Sequence, residues 1–171
     1  MIRAPHHLKR NSPSIDVHVA DSSWRNSVPQ IVSRVRNAAA IALAYSTQSP
    51  SDNSRLALTI LLTGDQQLHE LNARYRGKDK PTNVLAFPAS DGSAYLGDIA
   101  IAFGTAAREA RTGNQPLSEH LLHLVVHGVL HLLGYDHEMA SEAAVMESLE
   151  AQILGAMDIP DPYADRQSVM A

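Results

Sequence analysis

Four histidines fall within the stretch HLVVHGVLHLLGYDH: His123, His127, His131 and His137. On a helix, residues four apart share a face, with Cβ atoms close enough for two imidazoles to reach one ion. His127 and His131 meet that condition, and a turn at Gly134-Tyr135-Asp136 can bring His137 back over the helix end as a third ligand. Three histidines leave a further position open for water or substrate, the arrangement of a catalytic rather than a structural metal site. Imidazole donors favour Zn²⁺, Ni²⁺ or Cu²⁺ over Mg²⁺ or Ca²⁺, and one Zn²⁺ is the expected ion. A lone histidine on an apolar helix face is ordinarily a hydrogen-bonded core residue. Here the spacing of the triple argues for ligation. His123 is a rival candidate, but it stands eight residues from His131, about 12 Å along a helix axis. One ion with bonds of ~2 Å cannot hold both together with His127 on a straight helix. His123 is therefore expected to support or pack, and His120 to be exposed.

A zinc-protease helix reads H-E-x-x-H, with the Glu as general base. Here Gly128 follows His127. The ligand spacing is kept while that base is missing, so peptide hydrolysis ranks second; water activated by a metal can do without the base. A second chemical candidate is RYRGKDK, residues 74–80, with four cations and one anion. A guanidinium such as that of Arg76, flanked by Arg74 and Lys78, can clamp a phosphate and stabilise charge developing on it. On composition alone this is a solvated charge run. Other conspicuous residues have structural readings. Asp98 can orient a ligand histidine or sit at a turn or edge, and Asp136 can cap its turn. Glu142, Glu147 and Glu150 read as the wet face of the last helix. Trp24 and Tyr75 can stack on bases, although packing is the commoner fate of lone aromatics.

At 171 residues without cysteine, the chain can bury a core without disulfides or a structural metal. The apolar runs fall far short of the ~20 residues of a membrane span, and residues 1–13 lack the apolar segment of a signal peptide. They read as a flexible basic tail ahead of one domain, residues 14–171, in a cytoplasmic protein. The net charge of −4 is unevenly spread, with eight acidic residues against one Arg from Gly134 onward. A mildly acidic average does not exclude a local phosphate-binding patch at RYRGKDK.

The elements that must position these residues follow from periodicity. Period-two alternation predicts a strand over 14–20, and apolar positions three and four apart predict a helix over 27–44 with Pro29 in its first turn. A polar loop at 48–54 leads to a strand over 56–63, after which Asp65 can cap a helix reaching Tyr75. Strands over 83–87 and 96–102 precede helices over 103–111, 118–133 and 138–154. This is an α+β pattern: a small mixed sheet of about four strands covered by about five helices.

With these residues in hand, the sequence resembles the YbeY family of bacterial endoribonucleases of ribosomal RNA maturation. The resemblance rests on HGVLHLLGYDH, LNARYRGKDKPTNVLAFP and LGDIAI, about a fifth of the chain, in order. Ala86 departs from it, since the family usually has Ser in its N-V-L-S-F run. The resemblance implies a three-histidine metal site, usually assigned to zinc, at His127, His131 and His137, and a need for Arg76 in RNA cleavage. It implies a single-strand-specific endoribonuclease acting in 16S 3′ end maturation and ribosome quality control. The implied partners are precursor ribosomal RNA and the small ribosomal subunit or its assembly factors, with neither DNA nor membrane. Water and a ribose 2′-hydroxyl both stay open as nucleophile. The rival readings are a metal-dependent hydrolase of peptides or amides and an assembly factor with a structural metal.

Overall fold

The computed structural model describes residues 12–46, 55–78 and 82–165. Most of the basic tail, the polar loop around Pro50, and Lys80 lie outside the described residues. The elements are β1 (Ser14–Val19), α1 (Ser22–Ser27), α2 (Ile31–Ser46), β2 (Ala57–Thr63), α3 (Asp65–Arg76), β3 (Val84–Pro88), β4 (Tyr95–Ala102), α4 (Phe103–Thr112), α5 (Leu117–Leu132) and α6 (Ala140–Gly155).

The α+β expectation holds. Four strands make one mixed sheet in the order β1-β2-β4-β3. β1 pairs parallel to β2 and β2 parallel to β4, while the edge strand β3 runs antiparallel to β4. Alternation sends successive side chains to opposite faces. Ile15, Leu58, Ile60, Leu62, Ile99 and Ile101 join the main core with residues of α2, α5 and α6. On the other face Leu85, Ala100 and Ala102 meet Leu68 of α3 in a smaller cluster.

Helix α5 lies on the main-core face of the sheet, packed against α2, α4, α6, β3 and β4. It buries Leu121, Leu122, Leu124, Val125, Val126, Val129, Leu130 and Leu132. Full burial of such a side chain stabilises by ~1.5–3 kcal/mol, so apolar packing fixes the position of this helix. No helix among the described residues is long and apolar enough to cross a membrane.

The helix expected over 27–44 begins late, at Ile31, and a short helix that periodicity does not predict, α1, precedes it. The Asp21 carboxylate accepts the Ser23 N–H at 2.8 Å and caps the short α1, which buries Trp24. Val28, preceding Pro29, is extended, as a residue before proline prefers, and Gln30 takes a left-handed φ of 52°. Pro29 therefore lies in the break, and α2 begins at Ile31. The expected cap at Asp65 is also corrected. Gly64 is the N-cap of α3, and Asp65 reaches the start of another helix, accepting the Thr105 N–H at 2.8 Å and an Arg108 N–H at 3.1 Å.

Candidate metal centre

Local geometry assembles the histidines. His127 and His131 project from one face of α5, one helical turn apart. The helix ends at Leu133, where Gly134 takes φ +92°, a conformation that L side chains rarely adopt. The Gly134 N–H donates to His131 O and the Tyr135 N–H to Leu130 O, both at 3.0 Å, so the chain folds back over the last turn. Asp136 then accepts the His137 N–H at 2.7 Å, in the turn role expected of it.

One ligand atom each from His127, His131 and His137 lies within 4.8 Å of the other two. The Nε2 atoms of His127 and His131 are 3.0 Å apart. Ring centroids of the pairs 127–131, 131–137 and 127–137 are separated by 4.6, 5.0 and 5.6 Å. Bonds of ~2.1 Å at tetrahedral angles place ligand nitrogens about 3.4 Å apart, so the cluster can close on one ion with small side-chain movements. The donors are all imidazole nitrogens, the set that suits Zn²⁺ and its transition-metal neighbours. His127 and His131 are half-buried and His137 is exposed, leaving one side open. Burial, followed by the neighbouring His127 and His137 rings, holds the His131 pKa below its ordinary value, which favours the neutral form that ligation needs.

The expectation fails at Glu150, which is wholly buried rather than on a wet helix face. Its Oε1 lies 2.5 Å from His127 Nδ1 and its Oε2 lies 3.4 Å from His123 Nε2, while the Tyr163 hydroxyl donates to Oε2. Burial pushes the carboxyl pKa up, but the bonds from His123, His127 and Tyr163 outweigh it and hold it at about 2. The signal was in the sequence: Glu150 falls in register with Met146, Ile153 and Leu154, the buried stripe of α6. His123 thus supports through Glu150 and stays outside the three-histidine group.

Other expectations divide. His120 is only 8% exposed, contrary to its expected exposure, because Glu109 of α4 meets its Nε2 at 2.7 Å and Gln115 its Nδ1 at 3.2 Å. Asp98 is exposed and accepts the Tyr95 hydroxyl at 2.7 Å. Trp24 is core, edge-on to Phe103, with its Nε1–H donating to Thr63 O at 3.0 Å. Tyr75 is 60% exposed and meets Phe87 edge-on.

Arg74 and Arg76 lie exposed in the last turn of α3, where cations complement the carbonyl end of a helix. Gly77, at φ 62°, ends that helix. Arg76 is anchored: its Nη2 donates to Ala86 O on β3 at 2.9 Å. β3 in turn packs against α5. Arg76 is thereby tied to the strand beside the histidine helix.

A family profile described as Endoribonuclease YbeY matches residues 17–158. The chain belongs to that family. An Endoribonuclease YbeY of Rhodopseudomonas palustris (strain BisB18) is 44% identical over 167 residues, covering 92% of this chain and 96% of the relative. One from Bradyrhizobium sp. (strain BTAi1) is 42% identical over 164 residues, covering 91% and 95%. The fold is also similar to the solution structure of TM1509 from Thermotoga maritima, with a TM-score of 0.52 at 23% identity over 84% of this chain and 91% of that one. That likeness concerns the fold alone. The family match spans both the α3–β3 segment and the whole histidine cluster.

Proposed function

We infer that this chain is a metal-dependent endoribonuclease that cleaves single-stranded RNA during ribosomal RNA processing, including maturation of the 16S 3′ end and ribosome quality control. The observation that carries the reading is the convergence of His127, His131 and His137, within 4.8 Å, in a chain of the Endoribonuclease YbeY family. Zn²⁺ held by those three residues would supply Lewis acidity at the phosphodiester. Arg76 presents a planar fork to the phosphate and steadies its growing negative charge. Arg74 and Lys78 attract the backbone on either side. Glu150, through His127, keeps one ligand ring in place. Precursor ribosomal RNA is the substrate, the small ribosomal subunit or its assembly factors the partner, and the cytoplasm the compartment that holds both.

Peptide hydrolysis is the reading this competes with, and Gly128 counts against it. The position that would carry a protease general base faces the sheet, where even a methyl group lacks space. End-blocked RNA and an unfolded protein, each incubated with the chain with and without chelator, separate the two. Internal RNA cuts that vanish with chelator, beside intact protein, are the expected result. Chelator-sensitive proteolysis without RNA cuts would reverse the assignment.

A further inference from the structure

A wholly buried carboxylate needs an explanation. Its desolvation is costly, and an apolar side chain of similar volume would serve the core as well or better. Glu150 sits on the buried stripe of α6 between Met146 and Ile153, where a leucine would be unremarkable. What a leucine lacks is acceptors, and Glu150 uses both oxygens: Oε1 toward His127 Nδ1 at 2.5 Å, and Oε2 toward Tyr163 and His123.

We propose that Glu150 and Tyr163 form a positioning pair that locks the His127 ring and tautomer, so that the segment following α6 sets the affinity of the metal site. The inference rests on the reading of the three histidines as ligands. A carboxylate oxygen at Nδ1 accepts that nitrogen's proton, which leaves the lone pair on Nε2. Nε2 is the atom that faces His131, 3.0 Å away. A ligand ring held by such an acceptor loses little freedom on binding and is a better donor. The carboxylate is itself held. Tyr163 donates to Oε2, and its ring stands edge-on to His123 at 5.9 Å between centroids. Tyr163 is placed by a turn after α6 in which its own N–H donates to Asp161 Oδ1 at 2.8 Å. The path from residue 161 to the metal site therefore runs Asp161, Tyr163, Glu150, His127.

The test uses the full chain with Zn²⁺ alone as the probe. Glu150→Gln keeps the shape but can turn an N–H toward Nδ1, and Tyr163→Phe removes one hydroxyl from a half-buried ring. Zn²⁺ affinity is read by competition with a chromophoric chelator, and the His127 tautomer by ¹⁵N imidazole NMR of the metal-free protein. Glu150→Gln is expected to weaken Zn²⁺ binding by ~10–100-fold and to shift His127 away from the form protonated at Nδ1. Tyr163→Phe should move both readouts in the same direction by less. Unchanged affinity and tautomer in folded Glu150→Gln would overturn the proposal. If Glu150→Gln does not fold, unchanged readouts in Tyr163→Phe overturn it instead. A wild-type chain that binds no Zn²⁺ would refute the ligand assignment itself, and an unaltered tautomer in the variants would then refute the lock separately.

Discussion

A Cβ on Gly128 would lie 2.8 Å from Cγ2 of Ile99, with Cδ1 and Cγ1 of the same residue at 3.0 and 3.2 Å. Helix α5 therefore rides against β4 at the residue that follows His127. Ile99 is wholly buried, so it has little room to retreat. Gly128→Ala gains up to ~1 kcal/mol of helix propensity but overpacks a core site at a cost of ~1–3 kcal/mol. The expected net loss is up to ~2 kcal/mol, and Gly128→Glu should not fold. Urea unfolding followed by circular dichroism checks both; a Gly128→Glu chain as stable as the parent would mean that the helix does not press on the sheet there.

Removing one ligand from a set of three leaves a two-histidine site that competes poorly with water. His131→Ala and His137→Ala are each expected to lose most bound metal, whereas His123→Ala should keep it. Elemental analysis of dialysed protein reads this directly. Loss from His123→Ala with retention in His137→Ala would mean that the wrong triple has been chosen.

Asp65 joins the first turns of α3 and α4. Burial pushes its pKa up, but the Thr105 N–H and Arg108 outweigh that and leave it below the ordinary 3.8. A carboxyl with a lowered folded pKa stabilises above its unfolded pKa, and loses that contribution as pH falls through the folded value. Asp65→Ala should cost about 1 kcal/mol at neutral pH, chiefly through the lost cap. The pair with Arg108 adds little, since both side chains are at least a third exposed. Thermal melts of parent and variant should differ at pH 7 and converge toward pH 3. A gap that stays constant into acid would assign the effect to packing alone.

What was legible in the sequence is what local periodicity controls. The first strand follows from alternation and the other three from apolar stretches between turn residues, and the histidine triple follows because a four-residue helical spacing and a glycine turn are both local. Pairings across the fold were not legible. The charge of Glu150 points to solvent, while its register with Met146 and Ile153 points to the core, and the buried partners that decide between them lie on other elements. His120 finds Glu109 on a preceding helix, and Asp65 finds Thr105 forty residues away. The short α1 carries too little periodic signal around Trp24 to be read as a helix.

Arg76→Lys keeps the charge and gives up the planar fork that can hold Ala86 O and a phosphate together. Single-turnover RNA cleavage is expected to fall by ~10²-fold or more, the scale of losing a preorganised electrostatic donor. Metal content and RNA binding should be unchanged. Near-normal cleavage by the metal-loaded variant would reduce the basic end of α3 to a docking patch.

The most direct measurement is reconstitution. Chelated and dialysed protein is titrated with Zn²⁺ while circular dichroism and cleavage of end-blocked single-stranded RNA are followed together. The apolar core around α5 is built without the histidine cluster, so the metal-free chain should retain its helix and sheet signal while losing cleavage. Internal cuts should return in proportion to Zn²⁺ and level off at one equivalent per chain, and His131→Ala should recover none. Full cleavage by metal-free protein, or by His131→Ala, would contradict an endoribonuclease that works through its three-histidine site.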